Sequence, residues 1–135
     1  MNASRATLLT AVVANVLGWL LPVVYDDRGW QAFRVALSPL WPYEDFRIEP
    51  GFLLVLSVAS ALTNVLFVVL VVVLVVRESR ARAVLWAAAG ATLLNLHWAI
   101  SMGDERRLLA SGYFIWVCSF ALLALAAFLA RPACR

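Results

Sequence analysis

The sequence predicts an all-α fold, an integral membrane four-helix bundle with a short interfacial amphipathic helix in its first outer loop. Three observations carry this. The 135 residues are 64% hydrophobic with a mean hydropathy of +0.90, well above the roughly half-apolar composition of soluble domains. The apolar residues are gathered into four long runs, at about 6–24, 51–76, 83–101 and 112–130. One long polar stretch, residues 25–50, interrupts them and holds five of the eight acidic residues.

Each run is long enough to cross about 30 Å of hydrocarbon, which takes about 20 helical residues. Inside lipid the backbone has no water to bond, so each run is expected to be helical. No alternating strands exist to build a closed barrel. The first run, Ala6 to Val24, follows Arg5 and contains Pro22 near its end. It also reads as a signal peptide, but the basic region before it is thin and no clear small-x-small site precedes Asp26, so a retained helix is favoured. The second run, 51–76, is uncharged and long enough to tilt or protrude. A single domain over residues 1–135 follows.

The loop has its own pattern. Trp30, Phe33, Leu37 and Leu40 or Trp41 recur at helical spacing, with Gln31, Arg34 and Ser38 opposite. Asp26 or Asp27 is placed to cap a helix over 29–38. Pro39 and Pro42 are placed to end it. The following residues, WPYEDFRIEP, are too rich in proline and charge for more helix and are expected to return extended to the second span.

Arginine placement sets the expected orientation. Every basic residue is Arg and there is no Lys, a composition suited to a GC-rich bacterial genome. With the N-terminus inside, the cytoplasmic segments hold Arg5, Arg77, Arg80, Arg82, Arg131 and Arg135 against the single acid Glu78. The outer segments hold the other five Arg and seven acids. The expected location is the bacterial inner membrane, multi-pass, with both termini cytoplasmic. Trp19, Tyr25, Trp30, Trp41, Tyr43, Trp98, Tyr113 and Trp116 then crowd the outer side, and only Trp86 lies near the inner one. An aromatic belt accounts for part of this, but belts form on both sides.

No Asp, Glu, Lys or Arg lies inside a predicted span. That disfavours proton-coupled antiport, ion pumping and voltage sensing, which need intramembrane charge. Polar residues remain: Asn15, the one-faced set Ser57, Ser60 and Asn64, then Asn95 and His97, then Cys118 and Ser119. Their ordinary role is hydrogen-bonding between helices, about 0.6–2 kcal/mol each. Ala14-xxx-Gly18 and Ala126-xxx-Ala130 fit close helix approach. His97 is read first as an interhelical contact, with a ligand-polarising group, a proton-relay member or, weakest, a metal ligand as the alternatives. One His without neighbouring Cys or carboxylate makes no metal site. Cys118 and Cys134 would lie about 24 Å apart along one helix, too far to bridge. No CxxC, HExxH or GxSxG is present, so no catalytic residue, metal or cofactor is expected and the protein is read as not an enzyme.

The layout resembles small four-helix bacterial inner-membrane proteins. The matching segments are Gly29-Trp30 in the outer loop and Gly112-Tyr113-Phe114-Ile115-Trp116 opening the last helix. The resemblance implies this arrangement and no activity.

Two functions stand out from the residues, with a minimal oligomeric transporter third. The first is a non-enzymatic protein acting by contact with a membrane or periplasmic protein, as an accessory subunit or an immunity-type protein. The second is a lipid or small-molecule binding module with an outer-leaflet cavity under the 25–50 loop. The expected binding residues are Trp30, Trp41, Tyr43, Asp45, Asn95, His97, Trp98 and Trp116. The bilayer is the expected surrounding, nucleic acid is not a partner, and an oligomer is left open.

Overall fold

The computed structural model describes residues 2–43 and 51–130. Four long helices form the bundle: α1 (Ala3–Leu20), α3 (Phe52–Val76), α4 (Ala81–Ser101) and α5 (Ser111–Leu129). All four are long and apolar enough to cross a membrane. A fifth, short helix α2 (Gly29–Ala36) lies between α1 and α3 in sequence and against both in space. The chain is thus a helical multi-pass membrane protein. Its surface agrees: Val55, Leu62, Val65, Val68 and Val72 of α3, and Val13, Val16 and Leu17 of α1, are all exposed, as expected of helices that face lipid.

The helices form a row. α1 lies along α5, α5 along α4, and α4 along α3, while α1 and α3 share no extensive contact. Asn2, Ser4, Arg5, Glu78, Leu129 and Ala130 line one small recess. The start of α1, the end of α5 and the 3-10 turn Glu78–Arg80 therefore share one end of the bundle, called here the turn end. The opposite end, the loop end, carries α2 and the α4–α5 connection.

Two boundaries differ from the sequence expectation. α1 starts earlier and stops at Leu20, not at Val24. The cause is Pro22, which pushes the residue before it out of the helical region; Leu21 is extended at φ −85°, ψ 157°. The freed segment forms a small antiparallel hairpin, β1 (Pro22–Val24) with β2 (Asp27–Arg28). Tyr25 turns the hairpin at φ 51°, in the left-handed region that a bulky residue rarely adopts. The hairpin is held from outside by Tyr25 N–H to the Leu108 carbonyl and Ala110 N–H to the Val23 carbonyl, each 2.9 Å. At the turn end, α1 and α4 take Arg5 and Arg82 into their first turns.

α2 forms where the periodicity predicts, two residues shorter than the expected 29–38. Neither Asp26 nor Asp27 caps it. Arg28 occupies the cap position and its N–H is bonded by Gln31 Oε1 at 2.8 Å. Leu40 and Trp41 N–H groups both close on the Leu37 carbonyl, at 2.9 and 2.8 Å, so a turn ends the helix just before and after Pro39. The expected extended return falls largely on residues 44–50, outside the described residues.

Candidate functional site

The row leaves the bundle unevenly filled. At the turn end small residues let the helices touch. Ser4 Oγ donates to the Ala126 carbonyl at 3.0 Å, and Ala11, Ala88, Ala126 and Ala127 are fully buried. Phe67, Leu70 and Leu74 of α3 reach across to Phe120 and Leu123 of α5 and close the core. At the loop end no such fillers exist on α3, whose inward positions are Ser57, Ser60, Ala61 and Asn64. The space left there is a chamber of about 630 Å³. That is within the 300–1,000 Å³ usual for ligand pockets.

Helices and the hairpin line it, and it stays open on one side. α1 contributes Gly18 and Trp19, and α3 contributes Leu53, Ser57, Ser60, Ala61 and Asn64. α4 and α5 contribute Trp98, Met102, Tyr113 and Trp116, and the hairpin adds Val23, Val24, Tyr25 and Asp27. α2 lies across it as a roof, presenting Gly29, Gln31, Ala32, Phe33, Val35 and Ala36. Leu53 and Asn64 are eleven residues apart, so the α3 wall runs about 16 Å at 1.5 Å per residue.

Glycines seat the roof and the hairpin. A Cβ on Gly29 would stand 2.2 Å from the Gly18 carbonyl oxygen, and one on Gly18 would stand 2.6 Å from Trp116 Cβ. A Cβ on Gly112 would stand 2.4 Å from the Pro22 carbonyl oxygen. These contacts stack α2 on α1, α1 on α5, and the hairpin on α5. They explain physically why glycine precedes Trp30 and Tyr113.

The floor is a hydrogen-bonded network of uncharged groups. Asn95 is fully buried. Its Oδ1 accepts from Ser60 Oγ at 2.6 Å and its Nδ2 donates to Thr63 Oγ1 at 3.0 Å, tying α4 to α3. The Tyr113 hydroxyl donates to the Asn95 carbonyl at 2.5 Å and accepts from the Ala99 N–H at 3.2 Å, tying α5 to α4. Trp116 Nε1 donates to Asn64 Oδ1 at 2.8 Å, which bridges α5 and α3 directly. Asn15 Nδ2 donates to Ser119 Oγ at 3.1 Å, tying α1 to α5. Each of these asparagines serves as interhelical glue.

The predicted binding residues divide. Trp98, Trp116 and Tyr43 line the chamber. Asn95 stands one layer behind, holding Ser60 and Tyr113. Trp30 and Trp41 face away from the chamber and are exposed, Trp41 at 62%. Trp41 instead carries the Arg34 guanidinium 3.7 Å above its ring, with the Tyr43 ring 5.2 Å from it. His97 does not line the chamber and packs edge-on to Trp98 at 6.2 Å. Cys118 faces outward from α5. Asp45 lies outside the described residues. Sequence reasoning missed Ser57, Ser60, Ala32 and Phe33 as chamber residues; Phe33 meets Trp19 at 5.1 Å. The three-and-four spacing of Ser57, Ser60 and Asn64 was the available signal. Among the described residues no His, Cys, Asp and Glu cluster could hold a metal ion.

No known protein family, curated protein or solved structure matches the chain.

Proposed function

We propose that the protein is a non-enzymatic binding module for a membrane-soluble amphiphile, held under α2 in the outer half of a bacterial inner membrane with both termini cytoplasmic. One observation carries the reading: a chamber of about 630 Å³ lies among the span-forming helices, apolar along most of its wall, with a polar strip on α3 and a few polar groups at its loop-end mouth. A largely apolar, half-open space of this size with a few polar groups on its wall is the usual form of a ligand pocket. The arginine bias of the segments around Arg77–Arg82 supports the orientation. In that orientation α2 lies at the headgroup level. The exposed Trp30 of α2 and the exposed Leu40 and Trp41 that follow it, with Arg34 stacked on Trp41, have the amphipathic composition that settles there.

Contact with a partner protein, the first expectation from the residues, draws on the same exposed aromatic face, but the chamber favours the ligand reading. Mass spectrometry of the intact protein after mild extraction tests it. The expected spectrum shows one amphiphile per chain, displaced in an Ala36→Phe variant that fills the space. A bare chain, or an adduct retained unchanged by Ala36→Phe, would overturn the reading.

A further inference from the structure

We infer that the chamber takes its amphiphile head first, and that the head is neutral: a hydroxyl- or carbonyl-bearing lipid, with its tail leaving between α1 and α3. This rests on the binding function proposed above and narrows the ligand class.

The head position comes from the strip on α3. Ser57, Ser60 and Asn64 all line the chamber and occupy one face of the helix. Their existing bonds leave capacity unspent. Ser60 Oγ gives its hydrogen to Asn95 and keeps lone pairs free. Asn64 gives one N–H to the Ala61 carbonyl at 3.1 Å and one lone pair to Trp116, which leaves a second N–H and a second acceptor site. Ser57 reaches the Ala36 carbonyl only at 3.5 Å, the limit of a hydrogen bond. The strip therefore offers acceptors and one strong donor, the complement of an alcohol, a carbonyl or an amide.

The neutrality comes from what accompanies the strip. Among the described residues that line the chamber, Asp27 alone is a charged type, and it is exposed, on the hairpin at the loop end. Among the described residues, none at the strip can pair with a phosphate, a carboxylate or an ammonium. An ionised head would lose its water there without a counter-charge, which is strongly unfavourable. A neutral head loses less water and recovers its hydrogen bonds.

The tail path comes from the row. α1 and α3 do not pack along one another, and α1 shows the chamber only Gly18 and Trp19. Leu53 lines the chamber and is also 56% exposed, so an apolar chain can run past it. The outward residues on both sides, Leu17 and Leu20 on α1 and Val55 and Leu62 on α3, are exposed and apolar. A tail leaving there meets the bilayer.

Thermal stabilisation of the purified full chain by added lipid provides the test, since a ligand bound only to the folded state raises the melting temperature with concentration. The probes are geranylgeraniol and dioleoylglycerol, each set against its charged counterpart, geranylgeranyl phosphate and dioleoyl phosphatidate. The expected result is a saturable rise with at least one neutral probe, needing at least tenfold more of its phosphorylated counterpart. Asn64→Leu should weaken the neutral probe at least fivefold, and Ser57→Ala, which keeps the Trp116 bridge, at least twofold. Equal or tighter binding of the phosphorylated probes would overturn the neutral head. Unchanged affinity in both variants would overturn the head position. No response to the neutral probes, with a charged amphiphile seen on the extracted protein, would sink this inference and leave the binding function standing. No response to any probe, with a bare chain on extraction, would remove both.

Discussion

The two ends of the bundle are built from the same four helices and differ in what stands between them. At the turn end, alanines on α1, α4 and α5 bring backbones together, and Phe67, Leu70 and Leu74 fill what remains. At the loop end the inward face of α3 carries the small or polar Ser57, Ser60, Ala61 and Asn64, which meet α5 only through the Trp116–Asn64 hydrogen bond and leave the space beside it unfilled. One end is closed by packing. The other is propped by Trp116–Asn64 and Asn95–Ser60 and roofed by α2. The lesson is that small residues act oppositely in the two settings. With large fillers opposite they shut a bundle; without them they leave a chamber.

Glycine substitutions should break the loop end most. Gly29→Ala or Gly112→Ala drives a methyl into backbone at 2.2 or 2.4 Å, where neither neighbour can rotate away. Overpacking of this kind costs about 1–3 kcal/mol, and these sites belong at the upper end. The matched control is Gly90→Ala on α4, which meets nothing within 4 Å and should gain up to about 1 kcal/mol from helix propensity. Denaturation in mixed detergent would rank the three. Equal losses at all three positions would mean that the roof is not seated on α1.

Asn95→Leu comes next. It removes both bonds to α3 and leaves the Ser60 and Thr63 hydroxyls without their buried partner. A loss of about 1–2 kcal/mol is expected, in line with interhelical hydrogen bonds in membranes. His97→Leu, outside the chamber lining and the hydrogen-bond network, should change stability by less than about 0.5 kcal/mol. A larger effect at His97 than at Asn95 would reverse the assignment of the polar network.

Much of the fold was legible because hydrocarbon leaves few alternatives. Run length, backbone satisfaction and the Arg-rich turn suffice for four helices, and periodicity suffices for α2. The hairpin was not legible. Three residues of strand carry no period, and the run through Val24 is apolar whether or not Pro22 ends the helix. Of the residues expected around an aromatic-lined cavity under the loop, Tyr43, Trp98 and Trp116 line the chamber and Trp30, Trp41 and His97 do not. On a helix apolar all round, polarity cannot say which face turns inward. On α2 the period groups Trp30 with Phe33 on one apolar face, yet Phe33 lines the chamber with Ala32 and Ala36 while Trp30 is exposed. His97 was chosen for its chemistry, whereas its neighbour Asn95 occupies the face that meets α3.

The sharpest test of a hollow end against a packed one is a pair of melting temperatures measured on delipidated protein. Ala88→Phe places a ring in the filled core, where Ala88 is 0% exposed; Ala36→Phe places the same ring in the chamber. The hollow-end account predicts a large fall for Ala88→Phe and an unchanged or raised melting temperature for Ala36→Phe. A fall of similar size in both would contradict it, because it would show that there is no free space under α2.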